Sequence, residues 1–342
     1  MPGYRFLVLI LVLAAGSVSA AQEKTDDPAE LSHRQMGSFN IHFENDVLDT
    51  DATDRHYTNG MLFSYQTGEN RVWSWLDGWA RRHYFLDPEV RLRASLAVGH
   101  NLYTPEDIST AELVTDDRPY AAWLHVDLGL VGQTDEVLRT MQLSIGLVGP
   151  AAQGEQFQKW IHKVIDSPEP MGWGNQLNNE PTLMLVFEQK WRNIHSPGFL
   201  SGLGVDVDLS PHGSVALGNV FTYGGLGGTV RLGHGLDRDF GPARIQPAPP
   251  GSGFCSPTGG FGWYLFGGLD GRLMLRNIFL DGNTFSESHS VEKNLIVGDL
   301  VGGVAVSGLG MRLGFTYIVR TPEFKGQSSA DRFGSITLSF HF

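Results

Sequence analysis

The sequence predicts an all-β chain folded as an antiparallel transmembrane β-barrel of about twelve strands with one short helix in an external loop. Three observations carry this. Segments of roughly ten residues with one apolar and one polar face recur along the chain. The chain ends on such a segment, RFGSITLSFHF, in which Gly334, Ile336, Leu338, Phe340 and Phe342 alternate with Ser335, Thr337, Ser339 and His341. A single stretch, GPAAQGEQFQKWIHKVIDS at 149–167, breaks the rule and follows helical periodicity instead.

Taken from the start, residues 1–20 read as a secretory signal peptide. Arg5 supplies the positive end, Phe6–Ala15 the apolar stretch, and Val18-Ser19-Ala20 a small-residue cleavage pattern, with cleavage expected after Ala20. The apolar run is too short to span a bilayer as a helix. The only cysteine, Cys255, lies far from this site, so no lipid-modified N-terminus is expected and no intramolecular disulfide framework. Residues 21–37 are polar and are expected to form a flexible lead-in; the barrel is expected over 38–342.

The net charge of −12 argues against nucleic acid as a partner. A mean hydropathy of −0.13 looks polar for a membrane protein, but a barrel needs only every second residue apolar. The expected strands are 38–46, 57–67, 90–103, 119–132, 136–148, 181–193, 200–211, 215–233, 259–281, 289–305, 308–322 and 332–342. A C-terminal aromatic on an alternating strand is similar to the last strand of bacterial outer-membrane barrels. An edge strand of a soluble sandwich alternates equally well, so repetition along the chain decides. With both termini periplasmic, the external connections are 47–56, 104–118, 149–180, 212–214, 282–288 and 323–331. Two connections at the other end, 68–89 and 234–258, are longer than barrel turns should be.

The helix at 149–167 carries an apolar stripe of Phe157, Ile161, Val164 and Ile165, expected to anchor it against the barrel. Gln158 and His162 are four apart and share the other face, with Glu155 a turn earlier. A neutral imidazole can take a proton from water or a hydroxyl near neutral pH. A solvated surface histidine is equally consistent with this pattern.

Further polar clusters fall at the same end of the barrel. These are His42-Phe43-Glu44-Asn45-Asp46, Asp54-Arg55-His56-Tyr57-Thr58-Asn59-Gly60, Asp116-Asp117-Arg118-Pro119, and Gly172-Trp173-Gly174-Asn175-Gln176. Acid, amide, hydroxyl and imidazole at one rim are what a hydrolytic site needs. Each also has a structural reading: turn chemistry for Asn45-Asp46, a loop ion pair for Asp54-Arg55, and an arginine tying down carboxylates at Asp117-Arg118-Pro119. Asp46 offers hard oxygen ligands suited to calcium, with Glu44 as a weaker helper. Asn45 and Asp46 are adjacent, so they can share a site only at a strand end or bulge, and Thr58 is expected to face inward on the second strand. A serine–histidine pair at His289-Ser290 ranks lower, because neighbours on a strand point to opposite faces.

In order along the chain, ENDVLDTDATDRHYTNG at 44–60, YTPEDI at 103–108, DDRPYAAW at 116–123, GEQFQKWIH at 154–162, GWGNQ at 172–176, RNIFLDGNTF at 276–285 and SHSVEK at 288–293 resemble the lipid A 3′-O-deacylase family of outer-membrane barrels. The resemblance implies a calcium-dependent esterase (a carboxylic ester hydrolase) near the external rim. It would remove the 3′-linked acyloxyacyl group from the lipid A of lipopolysaccharide. By motif, Asn45 and Asp46 match the family's Asn-Asp pair, Thr58 its hydroxyl residue, and Gln158 and His162 its helix pair. An acidic residue after the histidine is also implied; Glu169 is the nearest, as a second weaker metal candidate, and Arg118 is one candidate for a basic site residue. The expected setting is the outer membrane, as a monomer among its lipids. The rival readings are an outer-membrane phospholipase and a non-enzymatic small barrel or pore.

Overall fold

The computed structural model describes residues 36–46, 56–197, 200, 202–242 and 260–342. The signal peptide, the lead-in up to residue 35, the loop 47–55 with Asp54-Arg55, and Cys255 lie outside the described residues.

Among the described residues, thirteen strands form one antiparallel sheet, and twelve of them close a barrel. They are β1 Ser38–Asn45, β2 His56–Gln66, β3 Arg91–Thr104, β4 Ala121–Gln133, β5 Val137–Val148, β6 Glu180–Trp191, β7 Ile194–His195, β8 Asp206–Gly218, β9 Phe221–His234, β10 Gly262–Asn277, β11 Ile296–Gly308, β12 Met311–Arg320 and β13 Asp331–His341. Apart from the short β7, each pairs with its neighbour in sequence; β1 pairs with β13, and β6 meets β8 to close the ring. The two-residue β7 carries the edge of β6 further along β8.

Alternation fixes the two faces. Phe39 and Ile41 on β1, Phe63 on β2, Leu96 and Val98 on β3, Leu124, Val126 and Leu128 on β4, and Leu313 and Phe315 on β12 are exposed on the outer wall. Their strand neighbours point into the lumen, where buried charge networks sit beside a large apolar cluster that includes Tyr103, Trp123, Tyr223, Phe279 and Phe333. Arg231 bonds Asp208 at 2.7 Å through Nε, and Asp299 receives Arg272 at 2.5 Å and Arg320 at 2.8 Å. Buried charges persist only when paired in this way. Phe39, Tyr65 and Phe342 cluster at the end where β1 begins and β13 finishes, with Phe39 and Phe342 stacked at 5.1 Å.

The structure corrects the expectation in four places. The seventh and eighth strands are displaced: β8 runs through 212–214, and the turn falls at Asn219–Val220. Pro211 and Gly213 look like breakers, yet Pro211 sits in the ladder opposite Gly228, between the stretches of β8 paired to β7 and to β6, where its missing N–H costs little. The long connection 68–89 contains a second helix, α1 Ser74–His83. The predicted helix is shorter than 149–167, spanning α2 Gly154–Ile165 behind a 3₁₀ turn at Pro150–Ala152. The ninth expected strand, 259–281, stops at Asn277, whose side chain caps a single helical turn, α3 Ile278–Asp281.

Candidate active site on the outer wall

The helix α2 is held against the outside of the barrel. On β3, Leu96 and Val98 are exposed while His100 and Leu102, on the same face, are covered. What covers them is the α2 segment: His100 Nε2 bonds the Ala152 carbonyl at 2.9 Å, and its ring meets Phe157 edge-on at 5.0 Å. Leu102, Tyr120, Ala122, Ala152 and Trp173 form one buried cluster beneath the helix. Gly154 permits this approach, since a Cβ there would stand 2.4 Å from Ala122 Cβ and 2.6 Å from the Trp173 ring.

The orientation of α2 reverses the expected one. Gln158 and His162 are the buried face, at 1% and 3% exposure, whereas Trp160 and Val164 are open at 62% and 67%. Of the expected anchor stripe, Phe157 packs against that cluster, whereas Val164 is open. The reason lies in the polar partners beneath the helix. Trp173 Nε1 donates to Gln158 Oε1 at 2.8 Å. An indole N–H can only donate, so the amide is fixed with its NH₂ turned elsewhere. Among the described residues, that buried Nε2 has no hydrogen-bond acceptor. A buried amide donor left without a partner calls for an explanation, and a ligand is one.

His162 is set by the end of its own helix. Asp166 takes the left-handed conformation, and the Ser167 N–H turns back to the His162 carbonyl at 2.9 Å. The chain then reaches Pro168, whose carbonyl lies 2.5 Å from His162 Nδ1. A carbonyl only accepts, so Nδ1 carries the proton and Nε2 holds the lone pair of the neutral ring.

Asn45 and Asp46 meet the condition that lets adjacent residues share a site. Asn45 ends β1, Asp46 lies just past the strand end, and both are buried. Thr58 stands at a register shift between Tyr57 and Asn59 in the β2–β3 ladder. The bulge overturns the inward placement expected for Thr58. Its hydroxyl meets that of Thr104 at 2.8 Å, and Thr104 shares the outward face of Leu102 and His100. Asn45, Thr58, Gln158 and His162 thus belong to the outer wall at one end of β1–β5.

Other candidates are engaged elsewhere. Glu44 faces the lumen, receiving Tyr57 OH at 2.6 Å and His42 Nε2 at 2.7 Å. Glu169 is exposed and paired with Lys159 at 3.0 Å; the hydrogen bonds that Lys159 Nζ donates to Glu155 and Glu169 raise the Lys159 pKa. Arg118 is fully buried against Glu323 at 2.8 Å, with Asp117 accepting the backbone N–H groups of Arg118 and Glu106. His289 Nε2 donates to the Asp117 carbonyl at 2.7 Å, so it too braces the rim. Among the described residues, no three His, Cys, Asp or Glu side chains gather as a metal cage. Asp46 and the adjacent Asn45 carry carboxylate and amide oxygens, which suit a hard cation in kind.

Sequence reasoning missed two residues. Trp173, within GWGNQ, fixes the Gln158 amide. Asn59, opposite Asn45 in the β1–β2 register, is 2% exposed with neither amide atom bonded among the described residues. The YTNG segment reads as the opening of a strand, and nothing in its spacing marks the buried amide.

A closed antiparallel barrel with an apolar outer wall and buried ion pairs in its lumen, its first strand beginning and its last strand finishing at one end, is an outer-membrane barrel protein. The chain belongs to the family described as outer membrane protein LpxR, whose model matches residues 6–342. Among solved structures it is similar to LpxR from Salmonella typhimurium, at 21% identity over 89% of this chain and 100% of that one, with a TM-score of 0.73. The beta domain of the Bordetella autotransporter BrkA matches at 10% identity over 89% of this chain and 97% of that one, with a TM-score of 0.40. No curated protein matches the chain.

Proposed function

We propose that this outer-membrane protein is a lipid A deacylase that hydrolyses the 3′-linked acyloxyacyl ester at the outer-wall site. The observation that carries the reading is the buried face of α2, where the orphaned Gln158 Nε2 lies one helical turn from the His162 ring. A site on the lipid side of the wall suits a substrate whose acyl chains lie in the membrane. We place that end of the barrel at the cell exterior, where lipopolysaccharide resides.

In this reading His162 Nε2 takes a proton from water as the water oxygen bonds to the ester carbonyl carbon. Gln158 Nε2 and the Asn45 amide donate to the oxyanion that develops. Collapse breaks the bond to the sugar oxygen, which receives the proton from His162, releasing the acyloxyacyl acid and a free 3′-hydroxyl. Thr58, tied to Thr104, orders the water or a ligand. Asp46 would hold a calcium ion, whose chemistry there is that of a Lewis acid on the ester carbonyl.

The test is mass spectrometry of lipid A and of phospholipids after incubation with the purified protein, with calcium or with a chelator. Loss of the 3′ acyloxyacyl mass from lipid A in calcium, abolished by chelation, is the expected result. Loss of chains from phospholipids alone overturns the substrate, and unchanged lipid A turnover in chelator overturns the metal.

A further inference from the structure

We propose that α1 is an interfacial anchor that docks on the phospholipid leaflet at the end of the barrel opposite the site. Barrel turns at that end are ordinarily short, and the span 67–90 between β2 and β3 needs a use. Its helix does not hang free. Ala80, Phe85, Val90, Leu92 and Leu130 pack as one buried cluster, with Leu76 and Met141 against it. Leu92 and Leu130 lie on the outward faces of β3 and β4, in line with the exposed Leu96 and Leu128. So α1 rests on the outside of the barrel, where the apolar girdle ends.

The face turned away from the wall is aromatic. Trp75 and Trp79 stand four apart and are exposed at 71% and 44%, with Trp73 just before the helix at 70%. Leu86 continues the patch at 69% exposure. Arg82 follows Trp75 by seven residues and so shares its face, also exposed. Tryptophans with an arginine, on a helix of modest overall hydrophobicity, are the composition of a segment lying in the plane of a membrane interface. The patch is continuous with the apolar wall of β3 and β4, and the Phe39–Tyr65–Phe342 cluster marks the same end. That continuity selects lipid as the occupant.

The inference is tested on the full chain in a Cys255→Ser background, with single nitroxide labels at Trp75→Cys, Trp79→Cys and the exposed Glu89→Cys. The protein is reconstituted in vesicles of phosphatidylethanolamine and phosphatidylglycerol. The ratio of oxygen to nickel-chelate accessibility at 75 and 79 is expected to stand several-fold above that at 89. Equal ratios overturn the proposal, as does spin–spin broadening between copies, which would mean that a second chain covers the patch. As a check without labels, brominated-chain phosphatidylcholine should quench the tryptophans of the native chain more than those of the Trp73→Phe/Trp75→Phe/Trp79→Phe variant. An unchanged quenched fraction overturns the proposal.

Discussion

At the scale of single residues, two hydrogen bonds decide what the site can do. The Pro168 carbonyl sets the His162 tautomer, and the Trp173 indole sets the Gln158 amide. Neither partner could be found by counting four residues along a helix, since both come from the chain beyond it. The identities of Gln158 and His162 were legible in the sequence; their burial was not. An amide and an imidazole on one helix face read as the solvent side until the tryptophan beneath them is known. Asn45, Asp46 and Thr58 were legible as residue types, and the need for a strand end or bulge could be stated in advance. The bulge at Thr58 itself could not, because the segment has no glycine at that point to mark it. If Gln158 Nε2 meets the oxyanion, Gln158→Ala should lower kcat by roughly 10²–10³-fold with little change in KM. Steady-state assays on lipid A measure that split, and a variant altered mainly in KM would assign Gln158 to ground-state binding.

Among the elements, α2 and its seat on the wall are the parts most open to test. Gly154 brings the helix backbone against Ala122 of β4, with the Trp173 ring closing over it. A branched side chain there must push the helix off the wall, since the Ala122 methyl and the indole crowd the Cβ position. Gly154→Val is therefore expected to abolish deacylation while the barrel keeps its heat-modifiable mobility on gels. Retained activity would show that the site tolerates a displaced helix. The strands were legible wherever alternation was clean, as in β4, β12 and β13. They were not where Pro211 and Gly213 suggest a turn that the ladder bridges. The helix α1 was hidden because Trp73, Trp75 and Trp79 disguise its apolar seam. The residues that pack, Leu76 and Ala80, are outnumbered by the aromatics that face away.

For the whole molecule, an apolar wall surrounds a lumen held by ion pairs, and the loops at the site end are tied into the same network. Glu323, in the connection between β12 and β13, receives Arg118 at 2.8 Å and lies near Arg320. Burial pushes its carboxyl up, but Arg118 and Arg320 outweigh that and hold its pKa down at about 2, against 4.5 for a free glutamate. Its folded pKa is depressed, so its contribution is fully present above pH 4.5 and is lost as pH falls toward 2. The stake is on the order of 3 kcal/mol at neutral pH. Thermal melting of the barrel from about pH 6 down to about 2.5 should show a steeper fall for the native chain than for Glu323→Gln, which begins less stable. Parallel curves would contradict the pairing. Barrel, strand number and closure were all readable from periodicity and parity. How the lumen is filled depends on which arginine meets which carboxylate, and which apolar side chains meet one another, across the ring, and no local pattern encodes that.

We propose His162, buried between helix and wall, as the base of an ester hydrolase acting on lipid A. This role is tested most directly by the lipid A mass spectrum of cells expressing the native chain and His162→Ala at matched barrel levels. The native chain should remove the 3′ acyloxyacyl group, and the variant should leave lipid A intact. Equal deacylation by both would exclude His162 as the base.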